Sequence, residues 1–436
     1  MSPIRGTKDR LDLALAERIE KSMNIVIVSA VFAPEPVISA QTSAQLAGEL
    51  VARGHLVNVL AQFPNRPQGR IFKGYRRALY SVSNVSQGQT LTHCFSTFSR
   101  QSTMVSRGLE NATFGITCGL RLLFGSRPDV IYSNTWALLA TGIVMAVAWV
   151  RQIPVVLSVQ DVYPESLESQ GRILKEGWLY RTLRAFDRII AQFATEVIVP
   201  GNRFRRLYKL DRQIITERIH VVANWGRDEI SERGSGDPLE LRKELGIPAN
   251  AFVAVYAGNI GVASNVEMIV DVFSQLANHA LIYLVIAGEG SRLRRCREKA
   301  ICQQLDHVLI HSPWKVDQTE QVLAMADVLL LPTKGKQSLH SIPSKLIAYF
   351  LSGRPVVAAV LQESDSALAM HNAGAGKVVE PDSVDQMAQA ILAMSQLSTE
   401  RLHRMGLAGR AYALRNFTSR SNLPQVVQIV EKAARG

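Results

Sequence analysis

Residues 340–359 read HSIPSKLIAYFLSGRPVVAA. Pro343 and Ser344 suit a helix start, and the apolar residues after Lys345 keep a helical spacing. Ser352-Gly353-Arg354-Pro355 stops that helix, and a β-branched run resumes at Pro355-Val356-Val357. Loop, short helix and strand within twenty residues are the repeating unit of a wound α/β sheet. Lys345 is the odd member, because the first turn of a helix favours an anion and not a cation.

The same alternation fills the chain from Met23. Strands are expected in NIVIVSAVFAP (24–34), HLVNVLAQ (55–62), PDVIYSN (128–134), PVVLSVQD (154–161), EVIVPG (196–201) and IHVVANW (219–225). Helices are expected in AQTSAQLAGELVARG, in the apolar run ALLATGIVMAVAWV and around 176–194, while 64–100 reads as rich in loops. A polar stretch, 226–250, with Gly234, Gly236 and Pro238, reads as a linker followed by a small helix. A second series follows: AFVAVYAGNIG, LIYLVIAGEG, HVLIHSPW, ADVLLLPT, RPVVAAV and GKVVEP. Apolar strands separated by helices predict parallel sheets buried on both faces, here two doubly wound α/β domains in tandem with a cleft between them.

Size agrees, since 436 residues exceed what one core holds and suggest two domains of about 200 residues each. Hydrophobic residues at 47% with 20% charged describe a folded chain. A net charge of +12 points to an anionic partner: a nucleic acid, an acidic membrane face or a phosphorylated substrate. The basic clusters Arg203, Arg205, Arg206, Lys209 and Arg292, Arg294, Arg295, Arg297, Lys299 belong to no nucleic-acid-binding motif, which argues against nucleic acid. They read either as solvated helix faces or, for the first cluster together with Arg76 and Arg77, as an attraction to anionic lipid and a diphosphate acceptor.

Cys94, Cys118, Cys296 and Cys302 follow no disulfide or metal spacing and read as reduced thiols of a cytosolic protein. The nine histidines are scattered, with no zinc pattern. Residues 1–22 read as a helical extension or a start-site artefact, with no signal peptide. The fourteen-residue run 137–150 is shorter than the ~20 residues that cross a bilayer, so any membrane contact is expected at the surface.

Ligands of such sheets bind beyond the carboxyl ends of strands. In the second half those positions are Gly258, Asn259 and Gly261, then Glu289 between two glycines, Trp314, and the opening Pro343-Ser344-Lys345-Leu346. Glycines allow close backbone approach, and helix starts offer free N–H groups, so these loops suit phosphates. Neither the dinucleotide pattern G-x-G-x-x-G nor a Walker loop occurs. Glu289 could equally be an acidic turn residue, and Trp314 a half-buried core edge. In the first half the positions are Pro34 and Glu35, Asn134, and QDVYPESLE (160–168) with Asp161 and Glu165. Those acids suit either a capped helix start or the chemistry of the cleft.

These motifs carry a resemblance. FAPE (32–35), LVARGHLVNVL (50–60), PDVIYSN, VQDVYPESLE (159–168), IHVVANW, VYAGNIG (255–261), LVIAGEGSRLR (284–294), ADVLLLPT (326–333), PSKLIAYFLSGRPVVAA and NAGAGKVVEPDS (372–383) cover 23 to about 395. In order, they resemble the GT-B glycosyltransferases of family 4. The likeness is to the bacterial branch that builds O-antigen, capsule and exopolysaccharide, including N-acetylfucosaminyl transferases. The resemblance implies a fold of two Rossmann-like domains facing each other across a cleft. The expected bounds are 23–225 for the acceptor, 226–415 for the nucleotide sugar, and 416–436 as a helix crossing back.

It also implies retention of configuration, a UDP-linked HexNAc or deoxy-HexNAc donor, a polyprenyl-diphosphate-linked saccharide acceptor and no obligatory metal or other cofactor. The protein would then sit in the cytoplasm, at the inner face of the cytoplasmic membrane. Donor contacts are expected from Gly258, Asn259, Gly261, Glu289, Trp314, Pro343, Ser344, Lys345 and Leu346, and acceptor contacts from Pro34, Glu35 and Asn134. Lys345, Asp161 and Glu165 are the expected catalytic residues, Lys345 as a phosphate ligand and Asp161 as an acceptor-side general base or the group that positions the acceptor hydroxyl. The chain departs from the family where two glutamates are usual, at His340 and Ala348, and where an arginine is usual, at Asn259. A nucleotide-sugar isomerase and a non-catalytic nucleotide-sugar binder stand as alternatives.

Overall fold

Ile25 and Ile27 point to one side of the first strand and Val26 and Val28 to the other, yet all four are buried. A strand covered on both faces requires helices above and below it. The computed structural model describes residues 22–66, 69–98, 103–135, 137–169, 171–226, 237–262, 264–313, 318–339 and 342–436. It has this arrangement twice. The first sheet contains β1 (Asn24–Ser29), β2 (Leu56–Gln62), β3 (Tyr80–Ser86), β4 (Gln89–Cys94), β5 (Val130–Asn134), β6 (Val155–Ser158), β7 (Glu196–Val199) and β8 (Ile219–Val221). Their order is β3-β4-β2-β1-β5-β6-β7-β8, parallel except for β3, which runs antiparallel to β4 at the edge.

The second sheet contains β9 (Phe252–Ala257), β10 (Ile282–Ala287), β11 (Val308–His311), β12 (Val328–Pro332), β13 (Val356–Ala359) and β14 (Gly376–Val379). Its order, β11-β10-β9-β12-β13-β14, reverses direction between β9 and β12. That is the doubly wound Rossmann arrangement, with its ligand crevice at the reversal. All twelve expected strands are present, but the stretch read as loop-rich holds the hairpin β3–β4 as well.

Apolar clusters fill both faces of each sheet. The last helix, Ser419–Arg435, leaves the second half and places Val426, Val427 and Val430 in the same cluster as Ile27 and Leu46 of the first. The two halves meet at the carboxyl ends of their strands. Asp365, at the start of the helix Asp365–Ala373, accepts the Arg203 backbone N–H at 3.1 Å, and Arg203 Nε donates to the Leu339 carbonyl at 3.0 Å. Asn422 Nδ2 donates to the Ala223 carbonyl at 2.8 Å behind them. The four cysteines form no disulfide.

Candidate functional site

The crevice of the second sheet opens where β9 ends. Gly258 turns the chain at φ +138°, and a side chain there would strike Lys345 Cε. The next glycine loop stacks on the first, because a Cβ on Gly288 would strike the Gly258 carbonyl. The glycines therefore serve loop-on-loop packing as well as an approach to ligand. Three of the backbone N–H groups expected to face phosphate are occupied internally: Gly258 donates to Ala287, Ile260 to Glu289 and Gly261 to the Ser264 hydroxyl. The N–H groups of Asn259, Ser344 and Lys345 have no hydrogen-bond partner among the described residues.

The helix Ser344–Leu351 aims its first turn at this place. Tyr349, one turn beyond Lys345 and on the same face, fixes the helix to β9. Its hydroxyl accepts the Ala257 N–H and donates to the Ala257 carbonyl, both at 3.0 Å. Lys345 consequently lies with Nζ 3.4 Å from the Asn259 carbonyl and 5.0 Å from the centre of the Tyr256 ring. Burial pushes its amine down to about 8. No carboxylate pairs with it among the described residues. Pro343, Asn259, Gly261, Thr333 and Gln337 line the same pocket. Spacing alone does not reveal Tyr256 and Tyr349; the latter lies four residues after Lys345, which is the only signal for it.

The remaining donor-side expectations divide. Leu346 is fully buried in the core under the helix, and its N–H bonds to the Pro343 carbonyl, so its side chain is packing and not a donor contact. Ser344 is exposed at the helix start. Glu289 is exposed at the loop tip and engages the first loop through its backbone carbonyl. Trp314 and His340 lie outside the described residues.

Across the cleft, Asp161 stands three residues beyond the end of β6. Its carboxyl has no hydrogen bond or ion pair among the described residues, and burial raises its pKa. The short helix Glu165–Ser169 then lies against the turn Gly335–Leu339, whose Gln337 and Ser338 line the Lys345 pocket. That contact puts the Asp161 segment at the rim of the crevice.

Glu165 corrects its sequence reading. Its carboxylate accepts Arg212 Nη2 at 2.7 Å, and Arg212 Nε donates to Asp187 at 2.7 Å, with Arg212 and Asp187 fully buried. Arg212 also donates to the Tyr163 carbonyl at 2.7 Å. Glu165 therefore holds the Asp161 segment in place and is not poised for chemistry. Arg212, distant in sequence from both acids, carried no signal.

Glu35 is a staple as well. Its buried carboxylate accepts the N–H groups of Asn65 at 2.8 Å and Arg66 at 2.7 Å, tying the turn after β1 to the turn after β2. Burial pushes it up to about 7, with the neighbouring Glu110 adding to the rise. Asn134, buried at the end of β5, donates to Ser29 Oγ at 2.9 Å, and its side-chain Oδ1 has no hydrogen-bond partner among the described residues. Pro34 is exposed beside Glu35. The expected lipid cluster also dissolves in part. Arg203 joins the two halves, and Arg77 lies over Phe95 at 4.5 Å while donating to the Ser96 carbonyl.

Comparisons with known proteins agree with the two-domain fold. The family described as "Glycosyl transferase 4-like domain" matches residues 39–225, and "Glycosyl transferases group 1" matches 251–396, so together they span most of the chain. WcaI of Escherichia coli K12, a glycosyl transferase assigned to colanic acid biosynthesis, is 22% identical over 85% of this chain and 91% of its own. Among solved structures, Anabaena HepE in complex with UDP matches 94% of this chain and all of its own, with TM-score 0.69 at 15% identity. WaaG, a glycosyltransferase involved in lipopolysaccharide biosynthesis, matches 93% of this chain and 99% of its own, with TM-score 0.64 at 17% identity.

Proposed function

Because the chain belongs to the family 4 glycosyltransferases of the GT-B fold, we propose that it moves a sugar from a UDP-linked donor to a lipid-linked saccharide in the synthesis of a bacterial surface polysaccharide. The sugar is an N-acetylhexosamine or a deoxy form of one, transferred with retention. The observation that carries the donor half is Lys345, a half-buried cation without a carboxylate partner among the described residues, set beside three unbonded N–H groups. A diphosphate leaving group needs fixed positive partners where its charge develops. Lys345 and those N–H groups supply them, and no metal is obligatory in this reading. HepE binds UDP on the same fold, which supports the choice of base.

Asp161 positions the acceptor hydroxyl. With no partner for its carboxyl among the described residues, it is placed to accept that proton or hold it by a hydrogen bond. Asp161→Asn is expected to lower kcat about 100-fold while the KM for donor stays within about twofold. Full activity in that variant would dismiss the role.

The acceptor is a saccharide on a polyprenyl diphosphate, reached by a peripheral protein at the inner face of the cytoplasmic membrane. No helix among the described residues is long and apolar enough to cross a membrane. The test is incubation with UDP-, GDP- and dTDP-sugars, with and without the polyprenyl-diphosphate saccharide, following free nucleotide and glycolipid. Acceptor-dependent UDP release with a lengthened glycolipid is expected. Isomerised donor without acceptor would instead identify an isomerase, and binding without turnover a non-catalytic binder.

A further inference from the structure

One face of the first sheet is covered by three helices, Met104–Phe124, Leu138–Val150 and Trp178–Phe193. Their inner sides, including Phe114, Val144 and Ile190, belong to the core beneath. The helices approach closely because small residues stand at their contacts. A Cβ on Gly115 would come 2.6 Å from Ala140 Cα, and one on Gly142 would strike the Phe186 ring. A cavity of about 650 Å³ opens at the far ends of the second and third helices, lined by Trp149, Val150 and Phe193, and these side chains remain exposed beside it.

Those outward side chains are apolar to an unusual degree. Phe124 is 80% exposed, Trp178 78% and Trp149 66%, and Val105, Ile116 and Phe193 stand out with them. On the opposite face of the same sheet, the helices Ile38–Ala52 and Ser419–Arg435 have no exposed large hydrophobic residue among the described side chains. The difference lies between two faces of one domain, so it is not a general property of this surface.

Charge separates the faces too. The three helices contain only two acids, Glu110 and Asp187, and both are buried. Their exposed charges are therefore all guanidinium: Arg121 and Arg181 point to solvent, and Arg184 pairs at 3.5 Å with Asp211, which lies outside the three helices. Aromatic and aliphatic groups among arginines, with no exposed carboxylate on the three helices themselves and with Asp211 and Glu176 only flanking them, match the headgroup region of an anionic bilayer. A protein partner of ordinary composition would not require the absence of acids.

We propose that this three-helix face rests on an anionic lipid bilayer. Its purpose, presenting the cleft to a lipid-linked acceptor, rests on the function proposed above; its test does not use activity. The full chain is sedimented with phosphatidylglycerol-containing vesicles and with pure phosphatidylcholine vesicles. Binding is expected to the anionic vesicles and to weaken with salt. Phe124→Ser with Trp149→Ser should weaken it at least tenfold, and Arg121→Ser with Arg181→Ser about fivefold per arginine removed. Ile301→Ser, at an equally exposed apolar residue of the second half, should leave it unchanged. Circular dichroism and UDP binding show that each variant is folded.

Failure of the parent to bind anionic vesicles overturns the proposal, as does equal binding to both vesicle types or undiminished binding by the double variants. A vesicle-free dimer that Phe124→Ser with Trp149→Ser converts to monomers would also overturn it, by making this face a contact between copies. Vesicle binding by a protein that transfers no sugar would support this surface and sink the transferase reading alone.

Discussion

Lys345→Met should lower kcat/KM for the donor by about 100- to 1000-fold, the range expected when a fixed electrostatic partner of a leaving group is removed. The melting temperature should not fall. Burial depresses the amine of Lys345 below that of a free lysine, so folding opposes its charge, and this penalty is present at neutral pH and relieved only as pH rises from about 8 toward ~10.5. An unfavourable cation retained beside a helix start makes sense if an anion completes the site, because the amine and the N–H groups of Ser344 and Lys345, which have no partner among the described residues, then act together. The pH dependence has a definite sign. Below pH 8 the free amine is charged and donor binding is at full strength; above it, each binding event must first recover a proton, so affinity falls by up to tenfold per pH unit. At pH 8 UDP binding should take up protons, measurable as a calorimetric enthalpy that varies with the ionisation heat of the buffer. Lys345→Met should abolish that variation. Unchanged kinetics, or buffer-independent heat in the parent, would remove Lys345 from the donor site.

Doubly wound architecture was readable because its strands are covered on both sides. Ala254, Val255 and Tyr256 of β9 are all fully buried, and a run of that kind has few other uses. The hairpin β3–β4 escaped notice for the opposite reason. YSVSNVS forms an exposed edge strand in which even Val82 and Val85 face solvent, so polar residues dominate and the segment reads as loop. The helix Met104–Phe124 was missed as well, beside the one apolar helix that drew attention. At the site, Lys345, Pro343, Asn259 and Gly261 do line one pocket, because strand ends and a helix start are local features that a wound sheet gathers at its crevice. Leu346 illustrates the limit of reading by adjacency. It follows Lys345 in sequence, but one residue is a 100° turn of the helix, which takes its side chain into the core. The acids of the first half fail for a different reason. Asp161 and Glu165 look alike in sequence, and only a guanidinium 47 residues beyond Glu165 separates their roles.

That guanidinium gives the other large effect. Arg212→Met should destabilise the first half by about 3–5 kcal/mol, because it strands two buried carboxylates rather than removing a pair. For a domain of about 200 residues this corresponds to a melting temperature roughly 6–20 °C lower. The loss should depend on pH. In the parent, burial pushes the Asp187 carboxyl up to about 6 even against the pull of Arg212. Without the guanidinium it should rise further, so the folded variant binds a proton that the unfolded chain releases at about 4. Stability of Arg212→Met is then greatest at acid pH and falls as pH rises through the folded value. The deficit against the parent should therefore shrink on lowering the pH from 7 toward 5, a shift that loss of apolar packing would not produce. Glu165→Gln separates structure from chemistry at the same place. An amide can still accept the Arg212 hydrogen bond and keep Tyr163 and Asp161 where they are, so the variant should fold and retain most of its kcat. A stably folded Glu165→Gln enzyme with collapsed turnover would return Glu165 to the reacting groups. If it turns over while Asp161→Asn does not, the cleft has one working acid, and Arg212 is the residue that holds it in place.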